Sequence, residues 1–369
     1  MKTFNPLSVS SKIGVCGLPL RVDSYKTCSF GCKYCFSNNR VIRKIENEDL
    51  QVANIKQLER KMDKIFNKNE YNKENLIDIM LLDDITWHYG GMSDPFQPCE
   101  KELNITKQIV DIANRYNRSI LFSTKSDTYY NTSVNPELHA FQLSVTNLLE
   151  DNWIEPNLAT IEKRINFFHQ LKNDGFKVGI RIQPFIPGIT TSEIIDAFRE
   201  ADYFTIEGLK LVPQNKELNS ELLKLFNISR EDFTQKGLLN LKPEIRLEIY
   251  KDVIEKLKMY DIPFSISDND MREYTSGKCC CGDCLIKKST NFDVTNMLYT
   301  KGNYDKFDVL NALNEYRYGK VKGLFTSNRQ KDVFTVEDLI DKNFEKKTNP
   351  ISPKFQYKIN KWFKSVTNK

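Results

Sequence analysis

Thr27-Cys28-Ser29-Phe30-Gly31-Cys32-Lys33-Tyr34-Cys35-Phe36 places three cysteines within eight residues, spaced Cys-x3-Cys-x2-Cys. Three thiolates on one short loop can each bind one iron of a [4Fe–4S] cubane and leave the fourth iron without a protein ligand. Gly31 lets such a loop turn tightly, and Tyr34 puts an aromatic ring just before the last cysteine. Zinc is the competing occupant, completed by a distant fourth cysteine. Structural zinc favours paired Cys-x2-Cys or Cys-x4-Cys knuckles, which this spacing does not match.

Upstream and downstream of the triad, short β-branched or aromatic runs alternate with longer amphipathic stretches, the pattern of βα units around a parallel sheet. Strands are expected at residues 18–23, 85–90, 119–124, 141–146, 177–183, 204–212 and 263–267. Helices are expected at 50–66, 100–116, 158–173, 192–201 and 243–260; between the third and fourth strands the helical pattern is weakest, and 136–139 reads as a turn. Six or seven such units predict an α/β fold, a partial (β/α)6-type TIM barrel open on one side. The triad follows the first strand, at the strand end where barrel active sites sit. Several strands alternate polar with apolar residues: Gln142, Ser144 and Thr146; Arg181 and Gln183; Thr205 and Glu207. A parallel sheet packed on both faces would be apolar throughout, so this alternation predicts a polar lumen.

Composition narrows the class. At 369 residues, 40% hydrophobic and 28% charged, the chain reads as an ordinary globular protein with room for one large domain and an appendage. We expect a barrel over residues 1–300 and a basic, aromatic-containing extension over 301–369. From Asp341 to Lys369 eight lysines face two acids, with aromatics interspersed. Such a tail suits either a helix docked on the main domain or contact with nucleic acid. No long apolar run is present and the N-terminus lacks a signal-peptide pattern, so a cytoplasmic protein with no membrane partner is expected. Only His88, His139 and His169 represent histidine, scattered along the chain, which argues against a histidine-built zinc hydrolase. Nine cysteines in a reducing compartment point to metal or redox chemistry; Cys16 and Cys99 stand alone and read as packing residues.

From Leu20 to about Gly188 the chain resembles the spore photoproduct lyase-like branch of the radical S-adenosylmethionine superfamily. The likeness is carried by the triad, by Gly90-Gly91-Met92-Ser93-Asp94-Pro95-Phe96-Gln97-Pro98, by Phe122-Ser123-Thr124-Lys125-Ser126 and by Gln142-Leu143-Ser144-Val145-Thr146. Gly179-Ile180-Arg181-Ile182-Gln183-Pro184-Phe185-Ile186-Pro187-Gly188 adds a fifth segment. The resemblance implies that Cys28, Cys32 and Cys35 hold a [4Fe–4S] cluster, and that S-adenosylmethionine is cleaved to a 5′-deoxyadenosyl radical. It implies Ser93 as a contact of the methionine amino group and Lys125 as the partner of its carboxylate, with Arg181 the next candidate for that role. Ser144 would touch the ribose or carboxylate, and Tyr34 and Phe36 would flank the adenosyl part. A one-electron reductant of the flavodoxin or ferredoxin type is then a necessary partner. One departure stands out: spore photoproduct lyase proper has a hydrogen-donating cysteine two residues before the serine, and here that position is Gly91. This argues against thymine photodimer repair by that route.

A second cluster, Cys279, Cys280, Cys281 and Cys284, follows the last expected strand, which would place it on the triad's face of the barrel. Three readings stay open: a second iron–sulfur cluster, a structural zinc, or thiols of which Cys281 or Cys284 donates hydrogen to a substrate radical. Asp268 and Asp270, just upstream, suit substrate contacts or a solvated turn. The substrate is open between nucleic acid and a peptide or small molecule. The non-enzymatic alternative is a zinc-stabilised nucleic-acid-binding protein.

Overall fold

The apolar runs fold into one large sheet whose strands are laid down almost in chain order. The structure, a computed structural model, describes residues 2–10, 16–35, 37, 50–211, 213, 216–234, 239–268, 271, 274–277, 282–286, 288 and 289. Phe36, Asp270, Cys279, Cys280, Cys281 and the 301–369 extension lie outside the described residues.

The chain begins with β1 (Thr3–Phe4), β2 (Leu7–Val9) and β3 (Leu20–Val22), then β4 (Val52–Ala53), α1 (Ile55–Phe66) and α2 (Leu76–Leu82). It continues through β5 (Trp87–Tyr89), α3 (Glu100–Leu103), α4 (Ile105–Arg115), β6 (Ile120–Thr124) and β7 (His139–Ser144). Next come α5 (Ile161–Asn173), β8 (Val178–Phe185), α6 (Glu193–Ala197), β9 (Tyr203–Gly208) and β10 (Lys210–Leu211). The last elements are α7 (Lys216–Leu225), β11 (Leu239–Asn240), α8 (Pro243–Met259) and β12 (Phe264–Ile266). The main sheet has the order β12-β9-β8-β7-β6-β5-β3-β2, parallel except for the antiparallel edge strand β2. Sequential parallel order with six crossovers is the winding of a (β/α) barrel, and β2 and β12 leave it open on one side. Among the described residues no helix is long and apolar enough to cross a membrane.

All seven expected strands belong to this sheet. The expected helix at 50–66 starts later: residues 52–53 pair with β1, and the Asn54 side chain accepts from Gln57 N to open α1. The expected helix at 100–116 breaks at Asn104, which is left-handed at φ 52°. The buried Glu100 carboxylate accepts the exposed N–H groups of Thr106 (2.9 Å) and Lys107 (3.0 Å), so α4 begins anew there. The expected strand at 204–212 ends as β9, and Lys210–Leu211 turns away to pair with β11. Two helices, α2 and α7, have no counterpart in the sequence reading; α2 is an almost unbroken apolar run without helical periodicity. Between β6 and β7 there is no helix, as expected, and Asn135 closes a turn instead.

Register separates the two faces of the sheet. One face stacks Tyr89, Phe122 and Phe141, with ring centroids 5.5 Å and 5.0 Å apart, against the helices. The other aligns Arg21 with His88, Ser123 with Gln142, and Ser144 with Arg181 and Thr205. These polar side chains bond across strands: His88 Nε2 to Ser123 Oγ at 2.9 Å, Gln142 Nε2 to Thr205 Oγ1 at 3.1 Å, and Arg181 Nη1 to Gln142 Oε1 at 3.3 Å. The polar lumen expected from strand alternation is therefore present. Its floor is apolar, made of Leu18, Leu121, Ala140, Tyr203 and Leu285 near the strands' N-terminal ends. A second apolar cluster, including Leu209, Leu222, Phe226 and Leu241, packs on Tyr34 and Cys32 at the opposite end.

Candidate functional site

The triad loop leaves β3 at its C-terminal end and is held by three neighbouring segments. Gln97, fully buried, donates to Thr27 O (2.8 Å) and accepts from Ser29 N (2.9 Å). Asn157 Nδ2 donates to Ser29 O at 2.9 Å, and Lys33 N donates to Ile154 O at 3.0 Å. Gly31 has φ +68°, and a Cβ there would lie 3.1 Å from Asn157 Nδ2, so both backbone and space call for glycine. The loop thus owes its shape to residues 68 and 128 positions away in sequence.

Cys28, Cys32 and Cys35 sit half-buried and carry no disulfide, close enough for their charges to act on one another. Burial, with the carboxylate of Asp94, pushes the Cys28 thiol up to about 12; the backbone N–H groups of Phe30 and Asp94 bond its sulfur and pull the other way. Burial also pushes Cys32 up to about 12, opposed by the charge of Lys125. Such thiols become thiolates when a metal binds them. Among the described residues no three side chains of metal-ligating type converge as they would on a single ion. A cubane asks for a different arrangement, because each thiolate takes its own iron. The spacing Cys-x3-Cys-x2-Cys offers one thiol per iron, the donor set of a cubane with one iron left open.

Lys125, just after β6, is not a free cation. Its Nζ lies 2.7 Å from Oε1 of Glu155, a fully buried carboxylate on the loop after β7, and 5.4 Å from the centre of the Tyr34 ring. Burial alone would raise the Glu155 carboxyl; the charges of Lys125 and Arg164, with hydrogen bonds from Lys125 and the Tyr34 hydroxyl, override it and hold the group at about 2. Asn152 and Asn147 donate to its other oxygen at 3.0 Å and 3.3 Å. Glu155 escaped the sequence reading. The available signal was a lone acid in Trp153-Ile154-Glu155-Pro156, flanked by groups that bury.

Ser93 is buried, and its hydroxyl donates to Tyr25 O at 2.7 Å, which leaves the oxygen able to accept. Asp94 fixes the same loop, accepting from Thr124 Oγ1 (2.8 Å), Phe96 N (2.9 Å) and Lys125 N (2.7 Å). Tyr34 is buried, and its hydroxyl is directed at Glu155 and Thr146. The Ser144 hydroxyl has no hydrogen-bond partner among the described residues. Arg181 bonds Gln142, Gln183 and Glu207 within the lumen. The structure therefore brings Cys28, Cys32, Cys35, Tyr34, Ser93 and Lys125 together at the barrel mouth, with Ser144 and Arg181 on the lumen face below.

Of the second cysteine segment, only Cys284 lies among the described residues. After β12 the chain turns back along that strand's free edge, with Ser276 N donating to Phe264 O at 3.1 Å. Leu285 then enters the floor beside Gly179 and Tyr203, and Lys288 O accepts from Thr86 N at 3.1 Å. Cys284 is exposed, on the 3-10 turn Asp283–Leu285. Asp268 is no solvated turn: it is buried and accepts from Gly208 N (3.0 Å) and Tyr250 (2.9 Å), 3.3 Å from Arg246.

No family model matches the sequence. An uncharacterized protein, MJ0683, of Methanocaldococcus jannaschii is 27% identical over 228 residues, 57% of this chain and 76% of that protein. A point mutant of spore photoproduct lyase superposes with TM-score 0.53 at 13% identity, covering 72% of this chain and 80% of the lyase. Another mutant of that lyase, with dinucleoside spore photoproduct, gives TM-score 0.52 at 12% identity over 70% and 78%. The architecture and the motif order agree: this chain has the fold of spore photoproduct lyase, the enzyme its motifs resemble.

Proposed function

We propose that the chain is a radical S-adenosylmethionine enzyme, with Cys28, Cys32 and Cys35 holding a [4Fe–4S] cluster. The observation that carries this reading is a glycine-turned Cys-x3-Cys-x2-Cys loop at the C-terminal mouth of a partial barrel with the spore photoproduct lyase fold. When bound, such a cluster would supply the electron that cleaves S-adenosylmethionine to methionine and a 5′-deoxyadenosyl radical, which would take a hydrogen atom from the substrate and leave as 5′-deoxyadenosine. The chain's own residues bind and orient. The Ser93 oxygen accepts from the methionine ammonium, and Lys125, already held by Glu155, meets the carboxylate on its open side. The Ser144 hydroxyl is available to the ribose. The Tyr34 ring is locked by Glu155 and Thr146, so it forms a fixed wall near the adenosyl group.

A flavodoxin- or ferredoxin-type protein would deliver the electron. The substrate departs from that of the lyase, since Gly91 has no side chain to return hydrogen and Arg21 fills the space a Cβ would need. The roles of Cys279, Cys280, Cys281 and Cys284, whether in a second cluster, a zinc site or a thiol couple, are set by metal content once the triad is removed.

The reading is tested with anaerobically reconstituted protein, S-adenosylmethionine and dithionite. The wild type is expected to be brown and to form 5′-deoxyadenosine, and Cys32→Ala to form none. Equal product from a fully reconstituted Cys32→Ala protein would sink the cluster assignment. A colourless protein with stoichiometric zinc would favour the nucleic-acid binder.

A further inference from the structure

One cation on the lumen face stands outside the ion pairs described above. Arg21 of β3 is half-buried and in register with His88 of β5. Its guanidinium makes no hydrogen bond or ion pair among the described residues. Its guanidinium fills the space over Gly91: a Cβ there would lie 2.5 Å from Nη1 and 3.6 Å from Cζ. Gly91 is not in the left-handed region, so the approach of this side chain, rather than backbone geometry, accounts for the glycine.

His88 supplies a second, independent observation. It is 3% exposed; Nε2 meets Ser123 Oγ at 2.9 Å, while Nδ1 is enclosed and has no hydrogen-bond partner. A buried polar atom without a partner is uncommon in a folded protein and asks for an explanation, one of which is a bound group. Burial, with the charges of Arg21 and Arg181, holds the imidazole neutral, far below its usual range, so it offers one donor or one acceptor and no charge. Arg181 has Glu207 at 3.4 Å to balance it, whereas no carboxylate pairs with Arg21 among the described residues. Beneath this polar layer the floor of Leu121, Tyr203 and Leu285 stops any deeper penetration.

A guanidinium presents a planar fork of donors and no acceptor, which matches a carboxylate or a phosphate. We propose that Arg21 and His88 form an anion subsite deep in the lumen, which takes a carboxylate or phosphate group of the substrate and leaves the rest of that molecule directed at the mouth. This rests on the radical enzyme reading for the identity of the mouth, and it adds the chemical class of the substrate. Arg21 supplies the charge, His88 Nδ1 one further hydrogen bond, and Gly91 the room for both.

The test is calorimetry on the reconstituted full chain saturated with S-adenosylmethionine, titrated separately with inorganic phosphate and with malonate. The wild type is expected to bind at least one of them: phosphate alone indicates a phosphate ester, malonate alone a carboxylic acid. Arg21→Gln should weaken binding roughly ten- to hundredfold, the range for losing a charge-assisted hydrogen bond. Gly91→Ala, which keeps the charge but displaces the guanidinium, should weaken it too, and thermal melts show whether each variant is folded. Binding of neither anion, or unchanged binding by folded Arg21→Gln, would overturn the subsite. So would an equal loss of S-adenosylmethionine affinity, which would hand Arg21 to the cofactor's own carboxylate. Reductive cleavage is measured on the same wild-type preparation. Its absence alongside Arg21-dependent anion binding would defeat the radical reading and leave the subsite standing.

Discussion

Lys125 shows how much a single residue's meaning depends on its partner. As a cation after a strand end it was legible in the sequence; that Glu155 holds it at 2.7 Å was not. A lysine fixed by a buried carboxylate loses little freedom on meeting a ligand, but its removal leaves that carboxylate short of a counter-charge. Lys125→Ala should therefore weaken S-adenosylmethionine binding by about 1.5–3 kcal/mol and also lower stability by about 1–3 kcal/mol. Arg164, Asn147 and Asn152 limit the second loss because they remain on Glu155. The double variant Lys125→Ala, Glu155→Gln separates the effects: the urea midpoint should recover while cofactor affinity stays low. Wild-type affinity in the double variant would show that Lys125 serves Glu155 alone.

The triad loop is an element with no regular hydrogen-bond ladder, so its shape must come from elsewhere. Its spacing and its glycine were readable because both are local. Its restraints were not, since Gln97 and Asn157 reach it from other loops. Gln97→Ala would remove two hydrogen bonds to the loop backbone, from Ser29 N–H and to Thr27 C=O, at about 0.5–1.5 kcal/mol each. We expect the reconstituted variant to lose iron to a chelator several-fold faster than the wild type, followed by the decay of its visible absorbance. Equal half-lives would mean that the cysteines need no help from Gln97. The helices tell a similar story: α1 and α4 were misjudged by a few residues because Asn54 and Glu100 decide their starts through side-chain bonds. The helix α2 was overlooked because a helix buried on several sides has no amphipathic stripe to read.

Across the whole molecule, the barrel has one polar mouth and one apolar floor, and Leu285 and Ile286, after β12, belong to the floor. Leu285 is 7% exposed and packs against Leu121, Ala140 and Tyr203. Leu285→Ala should cost about 2–4 kcal/mol in urea denaturation, through lost burial and the cavity left behind. A change below about 0.5 kcal/mol, the size expected of an ordinary surface substitution, would show that residues 282–286 do not close the barrel.

The sequence by itself determined the strand order, the parallel βα winding, the Cys-x3-Cys-x2-Cys triad and the polar lumen. Each of these is written in local spacing or in the two-residue period of a strand, which needs no knowledge of distant partners. Only the tertiary structure decided which groups are paired. It joined Lys125 to Glu155 and pinned the triad loop through Gln97. It set Arg21 over Gly91 and turned the segment after β12 back under the barrel. Those outcomes depend on residues brought together by sheet closure, where burial makes every unpaired polar group costly. No local pattern in the chain encodes which pairs that closure creates.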